Sequence, residues 1–129
     1  MPSQTFPPDP QSVRRVRQMI RREVPWADTS AIELVASELV TNVIRHANTD
    51  LVVSLEIVEE KVRIEVADGS AIMPAARELS MGIDGTGGAG LRLVEAISEA
   101  WGADQRPDGK VVWAEIAIRQ KNPEEPHRM

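Results

Sequence analysis

The chain has 129 residues, 42% hydrophobic and 27% charged, with a formal net charge of -5, which fits one globular domain with its own core. Cysteine is absent, which excludes disulfides, thiolate zinc sites and a cysteine nucleophile and suits a reducing cytoplasm; His46 and His127 are too far apart to suggest a metal cluster. An acidic chain lacks the basic surface that phosphate neutralisation needs, so no direct nucleic-acid binding is expected, and with no apolar run near ~18 residues and no signal-like N-terminus neither a membrane span nor secretion is expected.

Residues 1–10 hold four of the nine prolines and read as an extended N-terminal arm. Asp9 offers an N-cap, and Pro10 suits the first helical position. Val13, Val16, Ile20 and Val24 then recur at helical spacing, predicting a helix over 10–23 that ends before Pro25. Arg14, Arg15, Arg17, Arg21 and Arg22 make it strongly basic, as a solvated face or a partner contact. Asp28 or Ser30 caps a second helix over 30–47. Its apolar stripe is Ile32, Val35, Ala36, Leu39, Val40, Val43, Ile44 and Ala47.

Residues 51–58 and 62–67 are rich in valine and isoleucine, with a short polar link between them, and predict an antiparallel hairpin. Residues 68–90 look irregular and glycine-rich. Helical spacing resumes over 91–101 with Leu91, Val94, Ile97 and Trp101, and Gly102 suits a helix stop. Residues 111–118 form a further strand; Asp108-Gly109 is a hairpin turn signal, so 103–106 is its expected partner. The order predicts an α+β two-layer sandwich with a mostly antiparallel sheet covered on one face by helices. Residues 1–9 are the arm, 10–118 the single domain, and 119–129 a polar tail.

Three stretches stand apart from this scaffold. Glu38 and Asn42 are one turn apart beside the apolar stripe, so they share a rim. They are either a polar pair at a helix margin or a proton acceptor beside a neutral Mg²⁺ ligand. Asp68-Gly69-Ser70 closes a strand, as a turn or as a carboxylate that accepts from an exocyclic amine, with Gly69 allowing close approach. Five of the eight glycines lie within 82–90, just before a helix. That is a flexible loop or a cradle of amides for phosphate. Gly85 to Gly90 match G-x-G-x-x-G, but no strand precedes them, so the dinucleotide reading fails. A P-loop and the H-R-D segment of eukaryotic-type kinases are both absent.

The order of these stretches resembles the histidine-kinase and gyrase-type ATPase superfamily, and within it the small anti-sigma-factor serine kinases. The resemblance covers roughly 12–118 and rests on ELVTNVIRHA (38–47), IEVADGS (64–70), GGAGLRLVEAISEAWG (87–102) and GKVVWAEI (109–116). It implies ATP and Mg²⁺ as cofactors. Glu38 then resembles the catalytic base, Asn42 the Mg²⁺ ligand, and Asp68, followed by Gly69, the carboxylate that reads adenine. Gly85, Gly87, Gly88 and Gly90 resemble the phosphate-binding glycine box, with Leu91 opening the helix behind it. Arg45 and His46 fall at the pocket edge, and Trp101 and Trp113 fit the family's core. The resemblance implies a cytoplasmic protein serine/threonine kinase that regulates transcription. Its implied partners are a sigma factor and an anti-sigma-factor antagonist, and its implied assembly is a homodimer. The alternative is a module that binds ATP, or nothing, and regulates by sequestering a partner. Two departures stand out: of the first glycine box, D-x-G-x-G in the family, only Asp68 is kept, since Ser70 and Ile72 stand where the two glycines would be, and a threonine found near the adenine in the family is replaced by Val111.

Overall fold

The computed structural model describes residues 1–71 and 87–120. Five strands form one antiparallel sheet: β1 (Ser3–Phe6), β3 (Leu51–Val58), β4 (Lys61–Asp68), β5 (Ala100–Arg106) and β6 (Gly109–Ala117). Their spatial order is β1-β3-β4-β6-β5. A two-stranded pair joins β2 (Ala27–Asp28) to β7 (Arg119–Gln120). Three helices complete the described residues: α1 (Gln11–Glu23), α2 (Ser30–Asn42) and α3 (Gly87–Ile97). The α+β two-layer architecture expected from the sequence is the one observed.

The layers follow from strand alternation. Leu51, Val53 and Leu55 of β3, Val62, Ile64 and Val66 of β4, and Val112, Ala114 and Ile116 of β6 are buried on one face. They meet Val16, Met19 and Ile20 of α1, Val35, Leu39 and Val40 of α2, and Val94 of α3 in one hydrophobic cluster. The helix α2 touches both α1 and α3 and lies over β4 and β6. The opposite sheet face carries a polar network instead. Arg63 bridges Glu65 and Glu115, each at 2.9 Å, and lies 4.1 Å from the centre of the Trp113 ring.

Several boundaries differ from the sequence expectation, each for a local reason. Residues 3–6 of the arm are a sheet strand, because Phe6 is buried opposite Leu51. Asp9 does accept from the Gln11 amide at 2.8 Å, and Pro10 has helical backbone angles. Thr29 stands at the cap position of α2, yet Asp28 takes the Ser30 amide at 3.0 Å. The α-helix ends at Asn42, and residues 43–47 form a π turn. It closes with the Asn48 amide on the Val43 carbonyl at 2.7 Å, and Asn48 adopts a left-handed φ of 53°. Such insertions are enriched at functional sites.

The third helix starts at Gly87 and stops at Ile97, not at residue 101. Trp101 and Gly102 belong to β5, paired with Ala114 and Trp113. Gly102 is therefore no helix stop. A Cβ there would come within 2.8 Å of the Trp113 indole, so the glycine makes room for the ring. Trp101 packs against the core as expected, whereas Trp113 stands half-buried on the polar face. The segment 72–86, which includes Gly85, and the tail beyond Gln120 lie outside the described residues.

Candidate functional site

The two margins of α2 differ. Glu33 faces α1: its carboxylate accepts from Thr29 Oγ1 at 2.5 Å and lies 3.2 Å from the Nε atoms of both Arg17 and Arg21. Two arginines of the basic helix are thus structural ties, while Arg14 and Arg15 stay exposed. A helical period carries Glu38 and Asn42 across the buried stripe from Glu33, to the other margin. Both are half-buried on successive turns. Glu38 makes no ion pair with any described residue. The π turn follows at once and leaves Arg45 and His46 exposed.

The glycine stretch opens α3. Gly87, Gly88 and Gly90 form its first turn, where backbone amides have no partner within the helix. Leu91 is 2% exposed and anchors that turn in the protein. Helix α3 packs against α2, so the glycine turn and the Glu38–Asn42 helix belong to neighbouring elements.

Asp68 is the last residue of β4 and sits in register with Lys110 of β6. By alternation both point to the helix layer, in line with Val66 and Val112. The Asp68 side chain has no exposed area and that of Lys110 only 9%. Asp68 Oδ1 accepts from the Ser70 amide at 2.8 Å and from Lys110 Nζ at 3.1 Å. Oδ2 lies 3.0 Å from the same ammonium, yet no donor among the described residues reaches it with hydrogen-bond geometry. A buried oxygen in that condition suits a donor from a ligand. Gly69 donates to Thr49 Oγ1 at 2.9 Å, and a Cβ on it would meet only ordinary contacts at 3.6 Å. The protein itself therefore does not require glycine at 69.

Glycine is required elsewhere. Gly109 has a φ of 154°, and a Cβ there would lie 1.9 Å from the Asp68 carbonyl oxygen. Neither Gly109 nor Lys110 was singled out as a site residue from the sequence. The signal was present as parity: Lys110 is two residues before the core position Val112. By the same parity Val111 pairs with Ala67 on the other face. The residue opposite Asp68 is Lys110. A hollow of about 350 Å³ at this end of the sheet is lined by Val52, Ala67, Asp68, Gly69, Lys110 and Val111 among others. Glu38 and Asn42 do not line it.

A comparison with protein families matches residues 6–116 to the histidine kinase-like ATPase domain. The chain belongs to that family. A histidine kinase-like ATPase domain implies an ATP site, and the underused oxygen of buried Asp68 is an acceptor that an amine such as adenine's could meet. No curated protein gives a significant match. Among solved structures, the RsbU and RsbW domains of Rv1364c from Mycobacterium tuberculosis share the fold, with a TM-score of 0.63 and 18% identity over 95% of this chain and 35% of that one. The histidine kinase domain of the blue-light activated kinase EL346 from Erythrobacter litoralis gives 0.53 and 18%, over 88% and 62%. The histidine kinase AdeS from Acinetobacter baumannii gives 0.54 and 16%, over 92% and 68%. This ATPase domain thus spans about a third of the first of these structures and under two thirds of the second. No helix among the described residues is long and apolar enough to cross a membrane.

Proposed function

We propose that the protein is an ATP-dependent serine/threonine kinase of the anti-sigma type. It acts in the cytoplasm on a small anti-sigma-factor antagonist and holds a sigma factor in the alternative complex. The observation that carries the reading is the Glu38–Asn42 pair, one helical turn apart at the margin of α2 opposite the Glu33 cluster, with the glycine turn of α3 on the helix packed beside it. Likeness to a chain that contains an RsbW domain supports the choice of partner class.

In this reading Asp68 accepts from the adenine amine, and the amides of Gly87, Gly88 and Gly90 face the phosphates. Gly85 extends that cradle. Glu38 takes the proton of a partner serine or threonine hydroxyl as its oxygen attacks the γ-phosphorus. A new P–O bond forms, the bond to the β-γ bridging oxygen breaks, and ADP leaves. Asn42 offers a hard, neutral oxygen that would hold Mg²⁺ against the phosphates, where the ion supplies positive charge for the developing negative charge.

The test is transfer of labelled γ-phosphate to a candidate antagonist. Glu38→Ala should reduce transfer at least ~100-fold, the lower end of general-base contributions, while ATP still binds. Equal transfer by both proteins would remove Glu38 from its role. A second reading is favoured by one observation: Asp68 is already paired with Lys110. In that reading the protein sequesters its partner without phosphoryl transfer. Partner binding unchanged by ATP, with no transfer to any antagonist, would select it.

A further inference from the structure

We propose that Lys110 is a latch on the base-reading carboxylate, closing the nucleotide site until its ammonium swings aside. The inference rests on the reading of Asp68 as the adenine contact and adds the control of that contact. The Asp68 side chain has no exposed area, and the cation that meets both of its oxygens is a side chain from the facing strand. An ammonium only donates, so Lys110 cannot take the place of Asp68 as acceptor for an amine. It competes with the base for the same oxygen. The incomplete bond at Oδ2 shows where that competition is weakest.

The latch is built to move while its target is not. The lysine stem is flexible and its ammonium can rotate off. Asp68 is held by three fixed contacts: the Ser70 amide on Oδ1, the β4–β6 register and the close backbone approach of Gly109. Opening therefore means a rotamer change of Lys110, with the carboxylate already in place. A site closed most of the time binds with an affinity reduced by its open fraction. The latch also makes the base selective in a testable way. Freeing Oδ2 helps a purine with an amine at position 6 and gives nothing to one with a carbonyl there.

The experiment is calorimetric titration of the full chain with Mg-ATP and with Mg-ITP, for the wild type, Lys110→Met and Asp68→Asn. Lys110→Met should bind ATP about tenfold tighter, the gain expected if the latch is shut about nine-tenths of the time, with no gain for ITP. Asp68→Asn should lose the preference for ATP. Lys110→Thr gives the same test should the methionine variant unfold, with thermal unfolding as the check. Equal or weaker ATP binding by the Lys110 variants, with wild-type binding abolished by Asp68→Asn, overturns the latch and leaves the adenine contact standing. A gain shared by ITP also overturns it, since the effect would then not depend on the amine. Binding of neither nucleotide by any variant overturns the adenine contact and the latch together.

Discussion

Two buried carboxylates sit at opposite ends of the same logic. Glu33 is fully served: a threonine hydroxyl and two guanidinium groups reach it, and the contacts span residues 17 to 33. Burial alone would push its carboxyl up. The Thr29 hydroxyl and the guanidinium groups of Arg17 and Arg21 outweigh that and hold it below the usual glutamate range. Among the described residues Asp68 has a single cation and an oxygen without a well-aligned donor. The first arrangement ties two helices together. The second leaves capacity for something else. Burial of charge by itself does not mark a binding site; the unused lone pair does.

The sharpest way to break the comparison is at Gly109. An alanine Cβ would fall 1.9 Å from the Asp68 carbonyl oxygen, with φ in the left-handed half of the map. Backbone must move, so Gly109→Ala should cost about 3 kcal/mol in urea unfolding, the upper end for overpacking and strain. Gly69→Ala, one residue past Asp68, should cost about 1 kcal/mol or less, because its nearest neighbours stand at ordinary contact. Comparable costs at both positions would mean that the strand end is not rigid, and with it the fixed carboxylate on which the latch depends.

A smaller effect is expected at Glu33. Glu33→Gln keeps the size but removes the charge that both arginines meet, and should cost about 1–2 kcal/mol at neutral pH. The arginines are 41% and 57% exposed, so solvent screens much of the attraction. The sign with pH follows from the depressed carboxyl. Its contribution is present above the unfolded glutamate value, about 4.3, and is lost as pH falls through the lower folded value. Urea unfolding at pH 7 and pH 3 should therefore show a gap between wild type and Glu33→Gln that narrows in acid. A gap that widens in acid would contradict the assignment.

The same contrast explains what the sequence made legible. The stripe of α2, both hairpins and the sandwich class are local patterns, and they were readable from spacing. Asp68 was readable as a carboxylate closing a strand because its motif is contiguous. Lys110 was not, because its meaning depends on β6 pairing with β4 across a long connection, as well as with its hairpin partner β5. Glu33 was hidden likewise: five arginines on one short helix look like a solvated face until a carboxylate on the next helix claims two of them. Trp101 shows the reverse error. It continues the spacing of Leu91, Val94 and Ile97, so periodicity extends the helix through it. Its actual partner is Ala114, fixed by a strand register that no window of adjacent residues contains. The role of the Glu38–Asn42 pair came from chemistry and resemblance, since an i, i+4 polar pair has no distinguishing local geometry.

The smallest effect separates the two arginines that share Glu33. Arg17→Ala and Arg21→Ala should each cost about 0.5 kcal/mol, because the remaining guanidinium and the Thr29 hydroxyl still hold the carboxylate. The double variant should cost more than the sum, since it leaves Glu33, 9% exposed, with the hydroxyl alone. A double-mutant cycle by urea unfolding measures that excess. Strict additivity would mean that each arginine acts independently, and Glu33 would then lose its standing as the saturated counterpart of Asp68. A clear excess, with little loss in either single variant, would show redundancy of donors at the structural carboxylate, in contrast to Asp68, which meets one cation among the described residues.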